Sequence, residues 1–591
     1  MIKLPSLFSD GMVITKSAKI WGWGNPGEEV VLFFLHMCQR KKVFKTVCGA
    51  DGRFEIILLS EDYGGPHTLT INEHVIKDVH IGRVWLCGGQ SNMEGALSRA
   101  ALLMPEEIKE DNRIRFFQVE KGFAFDAPKT NTNAVWRTAE GDLGSLFAVP
   151  YFFARQLLKD SDIPIGLVCT PAGGTPIEGW LPEKDPNYIK EPTEDANKKI
   201  AAWYEELTIK DKGFAENWAA PDYDDILWPS RMLLDSEGLP NHGSVWLRKK
   251  ISLTKVEGSV RLNFGRFVNS VKVYVNGEQV TSVDYMYPPC TCTLPEGLLK
   301  TGENVIVIRI VGDGNNPQVI PGKEYALYLH RHSKFDLSGE WKWQTGAEMP
   351  KCPPGVWLYS NPGGVYNYML APVLGYSIDG ILWYQGESNT GKPEGYSKLF
   401  TLLVKHMREK FGKNVPIIFN QLANHVSGAE NFGENWARLR EEQRQCLAIP
   451  NTAMSVSIDC GEWNDLHPLD KKTVGERMAW QARKLAYGEN IVADGPIFKR
   501  AEVENGKLTV FFDNAVGLWV KNGYPLLEII DDGGQKHLFY AVTKNDTLVA
   551  DIGDIQAIIV RYGWCDNPAV VLYNAYNLPA SPFESRVNIN V

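Results

Sequence analysis

The sequence predicts a multidomain protein in which an α/β domain with a parallel sheet is preceded, interrupted and followed by β-rich domains. Two observations support this prediction. Short apolar strands alternate with amphipathic helices in two separate stretches, which is typical of a parallel sheet covered by helices. The stretches around them show closely spaced strands and turn residues without helical periodicity, as in β-sandwiches. The predicted domains are residues 1–80, 81–205 together with 346–494, 206–345 and 495–591.

Length and composition fit a globular chain of several domains. At about 150 residues per domain, 591 residues correspond to roughly three to five domains. The net charge of −9 argues against a nucleic-acid partner, because phosphate binding requires clustered lysines and arginines. The ten cysteines lack the paired spacing of zinc motifs, so we expect scattered buried thiols and no metal site. Disulfide bonds between some of them are the alternative.

Targeting signals are not apparent. No apolar run reaches the roughly 18 residues of a membrane-spanning helix, so we expect no membrane span. Residues 1–5 lack the apolar region of a signal peptide. The protein is expected to be periplasmic or secreted if the chain is a mature form, and otherwise cytoplasmic. The oligomeric state is left unknown.

The first 80 residues predict a small β-sandwich without catalytic features. Short alternating runs at 18–23, 30–34, 54–58 and 68–71 are separated by turn residues.

A buried strand followed by a polar turn introduces the first candidate catalytic residue, Ser91. The apolar run Val84–Cys87 predicts the strand, and residues 96–103 predict a helix after the turn. A serine in this position has its hydroxyl at the carboxyl edge of a sheet, near free N–H groups that favour a developing negative charge. That is the geometry of a nucleophilic serine. The alternative is a plain turn with a capping serine.

A second polar cluster comes after the predicted strand at 165–169, which itself comes after a predicted helix at 150–159. Gly173 and Gly174 allow backbone N–H groups to approach a ligand closely, so this turn could supply an oxyanion donor. A plain connecting turn is the alternative. A polar helix is then predicted at about 185–215. Strands in the inserted β domain are predicted at 245–248, 259–264, 271–277, 304–310 and 325–329.

The α/β pattern resumes with a strand at 378–384 that leads directly into Gln385 and Glu387. His467 comes after a later strand, and Asp465 two residues before it could orient the imidazole. A turn before a proline is the alternative. Sites on parallel sheets lie beyond the carboxyl ends of the strands, where the four clusters 88–94, 173–178, 385–389 and 465–467 all fall. In this half, further strands are predicted at 415–419 and 453–458, and helices are predicted at 396–411, 435–447 and 471–486.

The last 97 or so residues again predict strands, at 508–512, 526–530 and 557–562, and hence a small terminal β domain.

Four ordered motifs resemble those of the sialate O-acetylesterases, which are SGNH (GDSL-like) hydrolases. They are Gly89-Gln90-Ser91-Asn92-Met93, Gly173 to Trp180, Trp383 to Asn389, and Asp465-Leu466-His467-Pro468. Further similarity covers residues 7–13, 375–389, 472–477 and 561–564, so it extends over most of the chain. Related acetylxylan esterases carry similar Gln-Ser-Asn-Met and Gln-Gly-Glu blocks, which makes the motifs less specific for the acylated sugar.

The resemblance implies a flavodoxin-like SGNH fold for the α/β domain and a role for each motif. Ser91 would be the nucleophile and His467 the base. The oxyanion donors would be the N–H groups of Ser91 and Gly174 and an amide side chain, for which Gln385 is favoured over Asn389 because it directly ends the strand. The expected substrate-binding residues are Gln90, Asn92, Thr175, Glu178 and Trp383.

The resemblance offers two candidates for the acid that supports the histidine. Superfamily members often place Asp three residues before His, where this chain has Asn464. Asp465 is ranked slightly ahead of Glu387 of the Gln-Gly-Glu block, which related enzymes can use instead.

The resemblance implies a serine esterase that removes O-acetyl groups from carbohydrates, and O-acetylated sialic acid is the expected substrate. No metal or organic cofactor is expected. Another glycan, such as acetylxylan, is the first alternative substrate. A non-catalytic carbohydrate-binding protein is the second alternative. The inserted β domain resembles a galactose-binding jelly roll, in which sugar contact and a packing or lid role are both open.

Overall fold

The computed structural model of the protein describes residues 1–36, 41–182, 192–329, 333–426 and 433–589. The chain divides into two compact units: Met1–Asn187 together with Leu358–Val591, and Tyr188–Trp357. The second unit is therefore one continuous insertion in the sequence of the first. The protein is multidomain and rich in sheets, as the sequence predicts.

The N-terminal strands form a five-stranded sheet in the order β1-β7-β6-β3-β4 and a separate β2-β5 pair. Alternate residues of β3 face the core, because successive side chains of a strand point to opposite sides; Val30, Leu32 and Phe34 are all buried. The strands are β1 (Val13–Ile14), β2 (Ser17–Trp23), β3 (Glu29–Leu35), β4 (Lys41–Val47), β5 (Arg53–Leu59), β6 (Gly64–Ile71) and β7 (His74–Ile81).

The first part of the α/β domain contains the strand that carries the candidate nucleophile. Its elements are β8 (Arg83–Gly89), α1 (Ser91–Glu94), α2 (Leu97–Ala100), β9 (Asp111–Gln118), β10 (Trp136–Ala139), α3 (Ala148–Leu157) and β11 (Ile165–Cys169), with short 3₁₀ turns at Pro105–Glu107 and Ile177–Trp180. The helix predicted at 96–103 is wrong in its start and length. Helical structure begins at Ser91, and Gly95 and Ala96 interrupt it because both have extended backbone angles.

In its described residues, 192–329 and 333–357, the inserted unit holds two helices and twelve strands. Six strands form one sheet, β12-β23-β13-β19-β16-β17, and four form another, β18-β14-β21-β22. The elements are α4 (Pro192–Lys210), α5 (Lys212–Ala215), β12 (Ser230–Met232), β13 (Gly243–Leu253), β14 (Arg261–Phe264), β15 (Phe267–Val268), β16 (Ser270–Val275), β17 (Glu278–Val283), β18 (Thr291–Thr293), β19 (Gly302–Gly312), β20 (Gln318–Val319), β21 (Tyr325–Tyr328), β22 (Lys334–Asp336) and β23 (Glu340–Glu348).

The second part of the α/β domain completes a seven-stranded sheet in the order β10-β9-β11-β8-β24-β25-β26. All neighbouring strands are parallel except β10 and β9. The new elements are β24 (Gly380–Tyr384), α6 (Tyr396–Phe411), β25 (Ile417–Gln421), α7 (Asn435–Gln445), β26 (Thr452–Val456) and α8 (Lys471–Leu485), with short turns at Leu358–Ser360, Tyr366–Leu370, Ala371–Val373, Glu387–Asn389 and Cys446–Ala448.

The β8 strand lies in the middle of this sheet, between β11 and β24. Its residues Val84 to Cys87 are at most 1% exposed, and they belong to a continuous apolar core that also includes the N-terminal strands. The carboxyl ends of β8, β11, β24 and β26 lie at the same edge of the sheet because these strands run in the same direction. Clusters 88–94 and 385–389 lie directly at these ends, whereas three residues separate 173–178 from the end of β11 and eight residues separate 465–467 from the end of β26.

The C-terminal strands form a five-stranded sheet, β32-β33-β28-β27-β37, and a four-stranded sheet, β31-β30-β34-β36, with a separate core. They are β27 (Ile497–Glu504), β28 (Lys507–Asp513), β29 (Trp519–Val520), β30 (Leu526–Asp531), β31 (Lys536–Tyr540), β32 (Val542–Lys544), β33 (Thr547–Asp551), β34 (Ala557–Tyr562), β35 (Leu572–Tyr573), β36 (Phe583–Arg586) and β37 (Asn588–Ile589).

The described cysteines are free thiols, and Cys38 lies outside the described residues. None of the helices in the described ranges has both the length and the apolar character needed to cross a membrane.

Candidate functional site

Ser91 is the first residue of α1 and comes after β8 with a single linking residue between them. The turn depends on Gly89, whose φ of +128° is unfavourable for other residues. A Cβ atom at Gly89 would lie 2.1 Å from the carbonyl oxygen of Tyr384, so β24 also requires glycine there. The sequence folds this way locally because a side-chain-free residue lets the chain leave the sheet sharply. The Ser91 side chain is left half-buried at the sheet edge.

Gln90 connects the turn between β8 and α1, which carries Ser91, to the loop after β24. Its Oε1 atom accepts hydrogen bonds from Gln385 Nε2 at 3.1 Å and from the backbone N–H groups of Gly386 at 3.3 Å and Ser388 at 3.1 Å. Gln90 is 1% exposed. Its role in this structure is to hold two loops together, and the geometry gives no support for the predicted substrate contact.

Gln385 is fully buried, and its amide group is used by the protein. Its Nε2 donates to Gln90, to Asn389 Oδ1 at 2.8 Å and to the Thr175 carbonyl at 3.3 Å, while its Oε1 accepts from Tyr396. Both amide hydrogens therefore point at protein acceptors. The prediction that Gln385 stabilises an oxyanion has no support from this arrangement.

Asn389 is engaged in the same way. Its Nδ2 donates to Glu178 Oε2 at 2.9 Å, and its Oδ1 accepts from the backbone of Ile177 at 3.0 Å. The loop after β24 is thus tied to the loop after β11. Glu178 is half-buried, whereas Thr175 is fully buried and Trp383 lies in the core against Trp180, with ring centres 5.6 Å apart. Of the predicted substrate-binding residues, Glu178 alone is not buried.

The glycine loop after β11 packs directly against Ser91. The Ala172 N–H donates to the Gly89 carbonyl at 2.9 Å, which continues the pairing of β11 and β8. A Cβ atom on Gly173 would lie 3.2 Å from Ser91 Cβ, so a larger residue there would crowd the serine. Gly174 comes directly after Gly173 and has a φ of +77°, which turns the chain at this point.

The loop after β26 carries His467 and is held by Arg99 from α2. Arg99 Nη2 donates to both carboxylate oxygens of Asp465, at 2.9 and 3.0 Å, and to the His467 carbonyl at 2.7 Å. Asp465 also accepts from the His467 backbone N–H at 2.9 Å and is 3% exposed. Arg99 and Asp465 together thus hold the backbone around the half-buried His467 in place.

A buried network connects the Ser91 turn to the loops after β24 and β26. Asn92 Nδ2 donates to Glu387 Oε1 and to the Leu466 carbonyl, the latter at 3.0 Å. Lys471 Nζ donates to Asn92 Oδ1 at 2.8 Å and to the Pro468 carbonyl at 2.5 Å. Asn92, the residue after the serine, is therefore hydrogen-bonded directly to Leu466 on one side of the histidine and, through Lys471, is connected to Pro468 on the other.

Burial shifts the ionisation of the two charged members of this network towards neutrality. Loss of solvation raises the pKa of Glu387 from 4.5 to about 7, an effect partly opposed by the Asn92 hydrogen bond. Loss of solvation, with the nearby positive charge of Arg99, lowers the pKa of Lys471 from 10.5 to about 7. The Glu387 Oε2 atom is buried without a hydrogen-bond partner among the described residues. Asn92 therefore sits between two groups that change charge near neutral pH.

The structure brings the four predicted segments together at one edge of the sheet. The arrangement can present a hydroxyl, an imidazole, two carboxylates and backbone N–H groups at one edge of the sheet, which is the set that acyl transfer requires.

Sequence reasoning missed Arg99 and Lys471. Each lies on a predicted helix, where a basic residue usually indicates a solvated face. Their positions beside the Gln-Ser-Asn-Met and His-Pro motifs were the one available signal. Within the described ranges, no three His, Cys, Asp or Glu residues form a cluster that could hold a metal ion, and the prediction of metal-free chemistry remains a prediction.

Comparison with known proteins supports an esterase. The family model "Carbohydrate esterase, sialic acid-specific acetylesterase" matches residues 81–206 and 354–484. Sialate O-acetylesterase from Mus musculus is 22% identical over 99% of this chain and 94% of its own length. The Homo sapiens protein of the same name is 27% identical over 41% of this chain and 54% of its own length.

A solved structure shares the fold. A carbohydrate acetylesterase from Xanthomonas citri superposes with a TM-score of 0.64 at 23% identity and covers 99% of both chains. The family model covers both parts of the α/β domain, including the Ser91 turn and the His467 loop. Together with the full-length relatives, it supports a carboxylic ester hydrolase that is similar to the sialate O-acetylesterases.

Proposed function

We propose that this carbohydrate esterase removes O-acetyl groups from sialic acid through an acyl-enzyme on Ser91. Carbohydrate O-deacetylation is the activity of the family. The observation that carries the mechanism is the hydrogen bond from Asn92 to the Leu466 carbonyl at 3.0 Å. It holds the residue after the serine against the residue before the histidine, so the two catalytic loops are coupled.

In the proposed reaction, the Ser91 hydroxyl attacks the acetyl carbonyl while His467 accepts its proton. The backbone N–H groups of Ser91 and Gly174 stabilise the oxyanion, a role that the engaged amide of Gln385 cannot take without breaking its own hydrogen bonds. Each such donor contributes on the order of 3 kcal/mol. The sugar hydroxyl leaves with the proton from His467. Water, deprotonated by His467, then attacks the acetyl-serine; the bond to the Ser91 oxygen breaks, His467 returns the proton to that oxygen, and acetate is released.

Asp465 is the proposed supporting acid, ahead of Glu387. Its carboxylate bonds to the His467 backbone and is bridged to the His467 carbonyl by Arg99, so it acts on the loop that carries the base. The Glu387 carboxyl bonds instead to Asn92, and its pKa of about 7 leaves it partly neutral at the pH where an acid of this kind must be charged.

The α/β domain is proposed to have the SGNH arrangement, with the nucleophile on the central strand β8. The inserted unit is proposed to be a jelly roll, which its six-stranded and four-stranded sheets support. The predicted domain boundaries stand as part of this proposal.

The test is acetate release from O-acetylated sialic acid and from acetylated xylan, with wild type and Ser91→Ala. We expect preference for the sialic acid and a loss of roughly 10³-fold or more in kcat for the variant. Undiminished activity of Ser91→Ala would remove the serine mechanism. If acetate release from acetylated xylan equals or exceeds that from O-acetylated sialic acid, the proposal of sialic acid as the substrate is wrong. In a second pair, Asp465→Asn should lower kcat much more than Glu387→Gln; the reverse order would assign the acid role to Glu387.

A further inference from the structure

Three basic side chains approach the segments of the candidate site, and they differ in exposure. Lys471 is 3% exposed and donates to Asn92 and Pro468. The Arg99 side chain is 16% exposed and is held by Asp465 and the His467 carbonyl. The Lys121 side chain is 34% exposed. Lys121 is therefore the one of these three whose ammonium group can reach a ligand from solvent.

Lys121 lies close to the nucleophile. It comes after β9, which neighbours β11 in the sheet, so its chain leaves the same sheet edge as the glycine loop. A Cβ atom on Gly173 would be 3.4 Å from Lys121 Nζ and 3.2 Å from Ser91 Cβ. The ammonium group and the serine thus both lie beside the same glycine.

The surroundings of Lys121 combine a weak ion pair with an aromatic surface. Its Nζ atom is 3.6 Å from Glu94 Oε2, longer than a hydrogen bond, whereas the same oxygen accepts from the Gly173 N–H at 2.5 Å. The ammonium lies 5.0 Å from the ring centre of half-buried Tyr359, and Phe123 packs edge-on against that ring at 5.3 Å. Partly exposed ion pairs of this length are weak, so a ligand carboxylate can compete for the lysine.

We propose that Lys121 binds the carboxylate of an acidic sugar and thereby determines the preference for sialic acid over neutral acetylated sugars. This inference rests on the proposed function. An ammonium group offers three hydrogen-bond donors and a full positive charge, which suit a carboxylate at the rim of a site. Tyr359 beside it offers an aromatic face to the sugar ring. A neutral glycan such as xylan has no group that would use this charge.

The inference is tested by calorimetric titration with N-acetylneuraminic acid and with its methyl ester, which has the same ring but no charge. Wild type should bind the acid roughly tenfold more tightly than the ester, as expected for a hydrogen bond to a charged group. Lys121→Met should bring the affinity for the acid down to that for the ester. Lys121→Arg, which keeps the charge, should retain most of the preference. Glu94→Gln, which removes the competing carboxylate but keeps an acceptor for Gly173, should increase it.

Opposite effects of the Lys121 and Glu94 variants would not arise from a merely structural role of the lysine. Equal affinity of wild type for acid and ester, including no measurable binding of either, overturns the inference, as does a Lys121→Met variant that weakens both equally. Failure of the proposed function appears separately. In that case wild type hydrolyses an aryl acetate in a Ser91-dependent manner but releases no acetate from O-acetylated sialic acid, while the titration still reports on Lys121.

Discussion

Removal of Arg99 should destabilise the histidine loop by about 3 kcal/mol. The guanidinium group donates to both oxygens of the 3%-exposed Asp465 carboxylate and to the His467 carbonyl. Loss of one partner from a buried ion pair costs about 3–5 kcal/mol, because the other charge stays away from water. The Arg99 side chain is 16% exposed, which places the expected cost at the lower end of that range.

The design is a double-mutant cycle of Arg99→Met, Asp465→Asn and the double variant, measured by urea unfolding and by kcat and KM for an aryl acetate. Arg99→Met should lower the free energy of unfolding by about 3 kcal/mol and kcat by about tenfold or more. The double variant should be more stable than the sum of the single changes predicts, since an asparagine carries no charge that needs the arginine. Arg438→Met is the control. Its ion pair with Glu394 is exposed, at 49% and 66%, and should contribute less than about 1 kcal/mol.

A loss below about 1 kcal/mol for Arg99→Met, equal to that of the exposed control, would refute the reasoning. Strict additivity in the cycle would do so as well, because it would mean that Arg99 and Asp465 do not act on each other.

Three further predictions concern the buried network and the nucleophile turn. Burial raises the pKa of Glu387 from 4.5 to about 7, so the protonated carboxyl contributes stability that is fully present below pH 4.5 and is lost as the pH rises through about 7. Across that window the free energy of unfolding of Glu387→Gln, measured in urea, should rise relative to that of wild type by up to about 3 kcal/mol. A difference that does not change with pH would contradict this. Lys471→Met removes the donor to Asn92 and should lower kcat about tenfold with little change in KM for an aryl acetate, whereas a change confined to KM would show that the lysine acts on substrate binding. Gly89→Ala adds a Cβ 2.1 Å from a backbone oxygen and should cost several kcal/mol more than Gly412→Ala, which has a similar φ of +132° but open space around it; similar melting temperatures for the two variants would mean that β24 gives way.

The sequence predicts the positions of the site segments well because they depend on periodicity and chain order. Apolar patterning predicts buried strands at 165–169 and 378–384 and a helix at 396–411, which the structure has at 165–169, 380–384 and 396–411. Parallel strands bring the loops at their carboxyl ends to one sheet edge. The helix expected from residue 96 failed because no propensity argument anticipates extended angles at Gly95 and Ala96. Local patterns determine elements, but their ends depend on tertiary contacts.

Side-chain partners were beyond the sequence. Gln385 ends its strand as expected, yet nothing in the chain order shows that its amide is shared among three acceptors. Arg99 and Lys471 resemble ordinary surface residues until the fold brings Asp465 and Asn92 to them. Such contacts join residues hundreds of positions apart, and their energy comes from burial that only the folded chain provides.

The place of the insertion has a consequence for how the enzyme is made. β8 pairs on one side with β11, which is synthesised before the inserted unit, and on the other with β24, which is synthesised after it. A nascent chain that has reached residue 357 therefore carries Ser91 at the end of β8, one edge of which still lacks its partner strand. Unpaired edges of apolar strands readily pair with other chains. Ribosome-bound intermediates of this length should depend on chaperones, and cleavage within the insertion after folding should leave the sheet paired and the esterase active.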